Sequence, residues 1–264
     1  MPFAQINGIN MYYEIHGEGA PVVLIQGFTR NTLNWKLVLE NLQKSFQVLV
    51  FDNRGSGRTD HPSQPYSIEM MSTDLSILME HLHIPQACIV GHSMGGAIVQ
   101  QFCADNPEKV KKAVICSSFC KVPYCSLMQI DTIIRMTELK VPKECIYRNV
   151  LPWLYSNQLL ENPGFIEHVL NLMLHDPFPQ NMDGFIGQGA ALKSFNFTNQ
   201  LHKIANPCLI LVGENDLYAP VSSSLQLHQK ITKAQMKIFP HQGHMINEEI
   251  PEQLCYEIKA FLAT

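Results

Sequence analysis

The residue with the most evident chemistry is Ser93, which lies in a G-x-S-x-G pattern within the sequence GHSMGG. Gly91 and Gly95 leave room for neighbouring backbone to pass close to a serine on a tight turn. A short apolar run at 87–90 predicts a strand before this turn. Apolar residues at helical spacing over 94–102 predict a helix after it. The pattern indicates a nucleophile elbow, in which a strained turn presents a serine for attack on a carbonyl.

A nucleophilic serine needs a base that takes its proton and an acid that orients and stabilises the base. In one arrangement of such sites the chain order is nucleophile, acid, base, and the last two lie on loops after later strands. Asp216 follows an apolar, strand-like run at 208–212. His244 follows a second short strand predicted at 236–239. We therefore predict Asp216 as the acid and His244 as the base.

Neighbouring residues allow other interpretations of this region. Glu214 is the alternative acid, and His241 is the less favoured base. His241 and His244 could also form a metal-binding pair, but no further ligand cluster accompanies them, so we predict no metal site. His92 adjoins the serine, yet adjacent side chains point apart, so His92 is not expected to act as the base.

Four motifs occur along the chain in one order: FDNRGSGRTD at 51–60, GHSMGG at 91–96, LVGENDLYAP at 211–220 and HQGHMINEEIPE at 241–252. Through these motifs nearly the whole chain resembles the α/β-hydrolase fold superfamily, with its best local matches in the 3-oxoadipate enol-lactonase and carboxylesterase-like branch. The resemblance implies Ser93 as nucleophile, Asp216 as acid and His244 as base. It also implies a tight turn beside the active site, with Asp52 and Arg54 in structural contacts.

Acyl transfer also requires hydrogen-bond donors for the oxygen that becomes negative, commonly backbone N–H groups. Met94 directly follows the nucleophile and begins the predicted helix, so its N–H is one candidate. In this superfamily the second donor lies on the loop after the third strand, predicted here at 21–25, and Phe28 is the matching residue. Gln26 stands where many relatives carry histidine, but a backbone donor does not depend on that side chain.

The elements that must position these residues alternate between strands and helices as far as about residue 116. This alternation is typical of an α/β fold with a parallel sheet. The resemblance implies an α/β-hydrolase fold, with a mostly parallel eight-stranded sheet and helices on both faces. Gly17 and Gly19 predict a hairpin turn between strands at 11–15 and 21–25.

Between residues 119 and 201 strand-like runs give way to helical periodicity, with helices predicted at 127–139, 144–154 and 165–174. We expect this segment, 119–201, to form a helical cap inserted after the sixth strand. Residues 1–118 and 202–264 are then expected to form the core domain. A cap in this position would cover the carboxyl ends of the strands, where open α/β sheets bind ligands.

Side chains of the cap and of the active-site loops are candidates for the lining of a substrate pocket. The predicted lining consists of Gln26, His92, Phe119, Met128 and Trp153. Further apolar candidates are Phe165, Met173 and Phe185. For the cap residues, packing between helices is the more favoured role. Two arginines of the cap could anchor a substrate carboxylate, although surface solvation is the more favoured interpretation for both: they are Arg135 and Arg148.

The composition limits the classes of partner. A chain of 264 residues can form one large α/β domain, and its formal net charge of −4 does not indicate nucleic acid. No apolar run approaches the roughly 20 residues of a membrane span, and residues 1–5 show no signal peptide. The eight cysteines form no C-x-x-C pair, so we expect free thiols and a cytoplasmic location.

These observations favour a serine hydrolase that cleaves a small carboxylic ester or lactone without a cofactor. Gly55 and Gly57 open no helix, so a dinucleotide site is not expected. Serine instead of aspartate at position 93 argues against a dehalogenase or an epoxide hydrolase. The same triad would also support carbon–carbon bond hydrolysis, acyl transfer or peracid formation. A ligand receptor without turnover is the remaining alternative, because fold alone does not determine function.

Overall fold

An eight-stranded sheet lies at the centre of the computed structural model, which describes residues 2–263. The strands are β1 (Phe3–Ile6), β2 (Ile9–His16), β3 (Pro21–Ile25), β4 (Gln47–Phe51), β5 (Ala87–His92), β6 (Val110–Cys116), β7 (Cys208–Gly213) and β8 (Ala234–Phe239). Their spatial order is β1-β2-β4-β3-β5-β6-β7-β8. β2 runs antiparallel to β1 and β4, and the other pairings are parallel. The predicted mostly parallel sheet is therefore confirmed.

Helices cover both faces of this sheet, as predicted. The α-helices are α1 (Lys36–Leu42), α2 (Ile68–His81), α3 (Met94–Asp105), α4 (Tyr124–Glu138), α5 (Lys143–Leu154), α6 (Asn157–Leu160), α7 (Pro163–Leu174), α8 (Met182–Ser194), α9 (Val221–Lys230), α10 (Ile246–Glu249) and α11 (Pro251–Ala263). None of the helices among residues 2–263 has the length and the apolar character needed to cross a membrane.

Alternation along the central strands explains why both faces are covered. Successive side chains of a strand point to opposite faces of a sheet. In β3, Val23 and Ile25 pack in one apolar cluster together with residues of α2, α3 and α9. Val22 and Leu24 pack in a second cluster together with residues of α1 and α11. Because both sets of side chains are buried, the strand has no solvent-facing side, which is typical of parallel sheets.

The five helices α4–α8 all lie between β6 and β7 in the chain. Three of them correspond to the predicted helices, whereas α6 and α8 were not anticipated. α8 contains three glycines, which weaken the helical pattern. One of these glycines is required by a close contact, since a Cβ at Gly184 would lie 2.1 Å from the backbone oxygen of Gly55.

The predicted hairpin between β2 and β3 is wrong. β4 lies between these strands, with Tyr13 of β2 opposite Phe51 and Val22 of β3 opposite Val48. The connecting loop therefore crosses the end of β4 instead of joining adjacent strands. Gly17 has a φ of 70°, and a Cβ there would lie 2.3 Å from the backbone oxygen of Gln43. Glycine at position 17 therefore allows the loop to pass close to the backbone of Gln43. In sequence, such a loop cannot be distinguished from a hairpin turn.

The turn after β4 makes the structural contacts that the resemblance implied. Asp52 accepts hydrogen bonds from the backbone N–H groups of Thr32 at 2.7 Å and Arg58 at 2.9 Å. Arg54 donates two hydrogen bonds to Asp74, and both side chains are buried. These bonds hold the turn against the loop that follows β3.

Candidate active site

Ser93 occupies the turn between β5 and α3 in a backbone conformation that non-glycine residues rarely adopt, with φ 56° and ψ −117°. Its N–H donates to the oxygen of Cys116 at 2.9 Å, and its carbonyl accepts from the hydroxyl of Ser118 at 2.8 Å. These bonds to β6 and the residues after it stabilise the strained turn. The conformation is the one expected of a nucleophile elbow.

The two glycines of the G-x-S-x-G pattern are required by close backbone contacts. A Cβ at Gly91 would lie 2.3 Å from the oxygen of Gly95. A Cβ at Gly95 would lie 2.2 Å from the oxygen of Ile25, at the end of β3. Since real Cβ atoms do not approach backbone oxygens this closely, larger residues at either position would displace the strands that hold Ser93.

Asp216 and His244 lie on the loops after β7 and β8 and form a direct hydrogen-bonded pair. His244 Nδ1 lies 2.9 Å from Asp216 Oδ2, and both side chains are buried. Oδ1 of the same carboxylate accepts from the N–H groups of Tyr218 at 2.9 Å and Ala219 at 2.7 Å. Because a carboxylate only accepts hydrogen bonds, His244 Nδ1 carries a proton. In the neutral ring Nε2 is then free to act as a base.

Ser93 and His244 line the same cavity, which has a volume of about 110 Å³. No hydrogen bond joins the Ser93 hydroxyl to His244 within the part of the chain that the structure describes. The structure therefore brings the nucleophile and the base to one site without placing them in hydrogen-bond contact. Glycine is also required at position 27 beside them, since a Cβ there would lie 2.9 Å from the Ser93 Cβ.

The two predicted oxyanion donors lie on different elements. Met94 is the first residue of α3, and Phe28 lies on the loop after β3. Neither backbone N–H has a hydrogen-bond acceptor within residues 2–263, and Phe28 lines the cavity. Gln26 holds this loop in place, because its Oε1 accepts from the N–H of Gly27 at 3.1 Å.

His92 lines the cavity and also contacts the candidate base. Its Nε2 lies 2.9 Å from the carbonyl oxygen of His244, so Nε2 carries the proton and donates to that oxygen. Burial, together with the nearby ring of His244, lowers the pKa of His92 to about 3. His92 is therefore neutral at physiological pH and fixes the backbone of the His244 loop.

Four of the five predicted lining residues lie outside this cavity. Gln26 is buried behind the loop, where Asn53 Nδ2 donates to its backbone oxygen at 2.9 Å. Phe119 is buried in the core beneath the site. Met128 is 57% exposed on the outer side of α4, and the ring of Trp153 packs edge-on against Tyr218. Helical spacing identified apolar positions but not the face that each helix turns towards the cavity.

The actual lining is largely apolar and comes both from loops that follow strands and from the helices between β6 and β7. Its apolar members are Phe28, Ile133, Ile146, Val150, Leu154, Met173, Phe185 and Met245. Two of these, Met173 and Phe185, were among the further candidates from the sequence. The polar members that sequence reasoning missed are Thr29, Arg30, Gln129, Tyr147 and Tyr218. A signal for Arg30 was present, because it lies only three residues after Gly27 on the predicted oxyanion loop.

The alternative acid and base lie at the surface. Glu214 accepts a hydrogen bond from the N–H of His241 at 3.0 Å, and both side chains are exposed. His241 therefore does not share a buried site with His244. The two arginines considered as anchors are also exposed, with Arg135 paired to Glu138.

The family model for the alpha/beta hydrolase fold matches residues 20–136, which include the elbow and the loop of Phe28. The mostly parallel eight-stranded sheet agrees with that match. The chain therefore has an α/β-hydrolase fold. The resemblance inferred from four sequence motifs is thus confirmed.

Proteins that are similar to this chain support a general hydrolase activity. The chain is 25% identical over 235 residues to 3-oxoadipate enol-lactonase 2 of Acinetobacter baylyi, covering 88% of this chain and 84% of the relative. The crystal structure of the enol-lactonase from Burkholderia xenovorans LB400 is similar with a TM-score of 0.87 and 23% identity, over 100% of both chains. A thermophilic esterase from Thermogutta terrifontis has a TM-score of 0.87 and 24% identity, over 100% of this chain and 98% of the esterase.

Proposed function

We propose that this chain is a serine hydrolase that cleaves small carboxylic esters or lactones through an acyl-enzyme. The observation that carries the proposal is the cavity shared by a strained Ser93 and by His244, whose ring is bound to Asp216. The likeness to enol-lactonases and an esterase supports ester chemistry in particular.

In the first step His244 Nε2 accepts the proton of the Ser93 hydroxyl while the serine oxygen attacks the ester carbonyl. This step requires that the Ser93 hydroxyl come into hydrogen-bond contact with His244 Nε2. The carbonyl oxygen becomes negative and accepts hydrogen bonds from the N–H groups of Phe28 and Met94. His244 then gives its proton to the leaving alcohol oxygen, and the acyl group stays on Ser93.

Hydrolysis of the acyl-enzyme reverses these roles. Water loses a proton to His244 and attacks the acyl carbonyl, and the Ser93 oxygen leaves with the proton from His244. Asp216 stabilises the charged imidazolium in both steps. For a lactone the alcohol oxygen remains attached to the acyl group, so the product is a single hydroxy or oxo acid.

We propose that residues 119–201 act as the cap over a core formed by 1–118 and 202–264. Helices α4, α5, α7 and α8 all contribute side chains to the cavity. A cavity of about 110 Å³ suits a small acyl group better than a long chain. The cap would thereby set the size of the substrate.

We also propose a reducing, cytoplasmic environment for the enzyme. All eight cysteines are free thiols, and those at positions 125 and 145 are exposed. Free thiols at the surface persist in a compartment that keeps cysteines reduced.

The test is labelling with a fluorophosphonate, which modifies activated serines, together with turnover of short p-nitrophenyl esters. The wild-type protein should be labelled at Ser93. Ser93→Ala should lose labelling and at least about 10⁴-fold of kcat, since the nucleophile is absent. Ser222→Ala, which alters an exposed serine of α9, serves as the matched control.

Turnover by Ser93→Ala at the wild-type rate would refute the proposal. A panel that adds diketones, alcohol acceptors and peroxide would separate ester hydrolysis from carbon–carbon cleavage, acyl transfer and peracid formation. Strong ligand-induced thermal stabilisation without an acyl-enzyme burst would favour a receptor instead.

A further inference from the structure

Arg30 differs from the other arginines of the chain in having no partner for its charge. It is half-buried on the loop after β3 and lines the cavity with Ser93 and His244. Its side chain makes no hydrogen bond and no ion pair within residues 2–263. The other four arginines each bind a carboxylate, in the pairs Arg54–Asp74, Arg58–Asp52, Arg135–Glu138 and Arg148–Glu144.

The carboxylates on neighbouring elements are engaged elsewhere. Asp176 accepts hydrogen bonds from Asn31 Nδ2 at 3.3 Å and from the N–H of Phe178 at 2.8 Å. Glu248 accepts from the hydroxyl of Tyr155 and from Asn34 Nδ2, the latter at 3.3 Å. Neither carboxylate forms an ion pair with the guanidinium.

The positive charge of Arg30 acts on the cap side of the cavity. Burial and the charge of Asp176 raise the pKa of Tyr147 in α5, and the charge of Arg30 opposes that rise. Tyr147 and Arg30 both line the cavity, together with the apolar side chains of the cap. Arg30 and Tyr147 therefore both border the cavity that the substrate would occupy.

An arginine side chain remains protonated in proteins, so it does not escape the cost of partial burial by losing its charge. An unpaired charge in an apolar cavity is unfavourable, and a planar carboxylate matches the fork of the guanidinium. We propose that Arg30 binds an ionised carboxylate of the substrate. The preferred substrates are small esters or lactones that carry a second, free carboxyl group. This inference rests on the proposed function, since it assumes that the same molecule presents a carbonyl to Ser93.

Two esters that share one acyl chain and differ in charge provide the test: monomethyl glutarate, which is an anion at neutral pH, and dimethyl glutarate, which is neutral. The wild-type enzyme should have a higher kcat/KM for the anion. Arg30→Gln removes the charge at similar side-chain length. It should lower the ratio of kcat/KM for the anion to that for the diester by about tenfold or more, chiefly through KM.

Arg148→Gln is the matched control, because it removes an exposed arginine outside the cavity and should leave the ratio unchanged. An equal loss of kcat/KM for both esters in Arg30→Gln would overturn the proposal and indicate a structural role. A wild-type enzyme that does not prefer the anion would also overturn it.

Calorimetric titration with glutarate separates failure of this inference from failure of the proposed function. Binding by the wild-type protein and its loss in Arg30→Gln would support Arg30 even if neither ester were hydrolysed. Equal glutarate binding by both proteins, or no binding by either, would contradict the role of Arg30. Absence of both ester hydrolysis and fluorophosphonate labelling would instead contradict the serine hydrolase.

Discussion

His92 lies beside the nucleophile and holds the backbone of the candidate base His244. Its ring lines the cavity, and its Nε2–H donates to the carbonyl oxygen of His244. Burial keeps the ring neutral, so it supplies a fixed donor instead of a titrating charge. The geometry makes His92 a positioning residue for the loop that carries the candidate base.

Replacement of His92 tests this role. His92→Leu removes the donor to the His244 carbonyl and should lower kcat/KM by about tenfold, in the range of one lost buried hydrogen bond. His92→Gln keeps an N–H donor at a similar distance from the main chain and should lose less activity. Equal losses in the two variants, measured with the same ester, would contradict the positioning role.

The lowered pKa of His92 also predicts how stability depends on pH. Between about pH 6.5, the ordinary value for histidine, and about pH 3, the unfolded chain binds a proton at this residue that the folded chain does not. The free energy of unfolding should therefore fall as the pH is lowered through this window. When the free energy of unfolding is measured by urea titration at pH 5 and pH 7, it should fall less in both His92 variants than in the wild-type protein. The difference in slope should be up to about 1.4 kcal/mol per pH unit. An unchanged slope would contradict a neutral, buried His92.

At the scale of elements, α10 joins the His244 loop to the end of α5. Glu249 Oε1 accepts from the N–H of Ser156 at 2.8 Å and from the N–H of Gly243 at 3.2 Å. The N–H of Met245 donates to the oxygen of Leu154 at 3.0 Å. A carboxylate of the core thus bridges the cap and the residue that precedes His244.

Glu249 is the residue of this junction that mutation can test most directly. Burial raises the pKa of its carboxyl, partly offset by the two backbone donors, so its ionised form is costly at neutral pH. Glu249→Ala leaves both donors without an acceptor and should lower the free energy of unfolding by about 1–3 kcal/mol. Glu249→Gln keeps an acceptor oxygen without the buried charge and should be affected less. Urea denaturation of both variants at pH 7 checks this order, and the reverse order would contradict it.

At the scale of the whole molecule, the proposed cap and the proposed core share one apolar cluster. Ile130 of α4, Leu192 of α8 and Phe197 pack in the same cluster as Val23 and Ile25 of β3. Another apolar cluster, separate from the two that cover the sheet, joins helices α5 and α7 to Met245 of the His244 loop. Because these side chains are buried only when both parts are folded, cap and core should unfold together.

The two tryptophans report on the two parts separately. Trp35 is buried against the core, and Trp153 lies on α5 of the cap. The fluorescence of Trp153→Phe reports on Trp35, and that of Trp35→Phe reports on Trp153. In each variant, the urea transition measured by fluorescence should coincide with the transition measured by helical circular dichroism. An earlier transition at Trp153 would show instead that the cap unfolds as an independent domain.

Prediction from the sequence was most successful where spacing along the chain fixes geometry. Gly91, Ser93 and Gly95 identify a tight turn after a strand, and the structure gives a close backbone contact for each glycine. The sequence predicts Asp216 and His244 on loops after strands, and the structure joins them by a hydrogen bond. Parallel strands present their carboxyl ends at one edge, so residues far apart in sequence could be expected to meet there.

Only the tertiary structure decides which strands are neighbours and which side chains face the cavity. Gly17 and Gly19 are compatible with a hairpin, and only the pairing of β4 between β2 and β3 shows that none forms. Met128 and Ile133 lie on the same helix, yet only Ile133 faces the cavity. Apolar periodicity shows that a helix has a buried face, but the partner of that face depends on how distant elements pack. The unpaired charge of Arg30 became visible for the same reason, because pairing is a property of the folded chain.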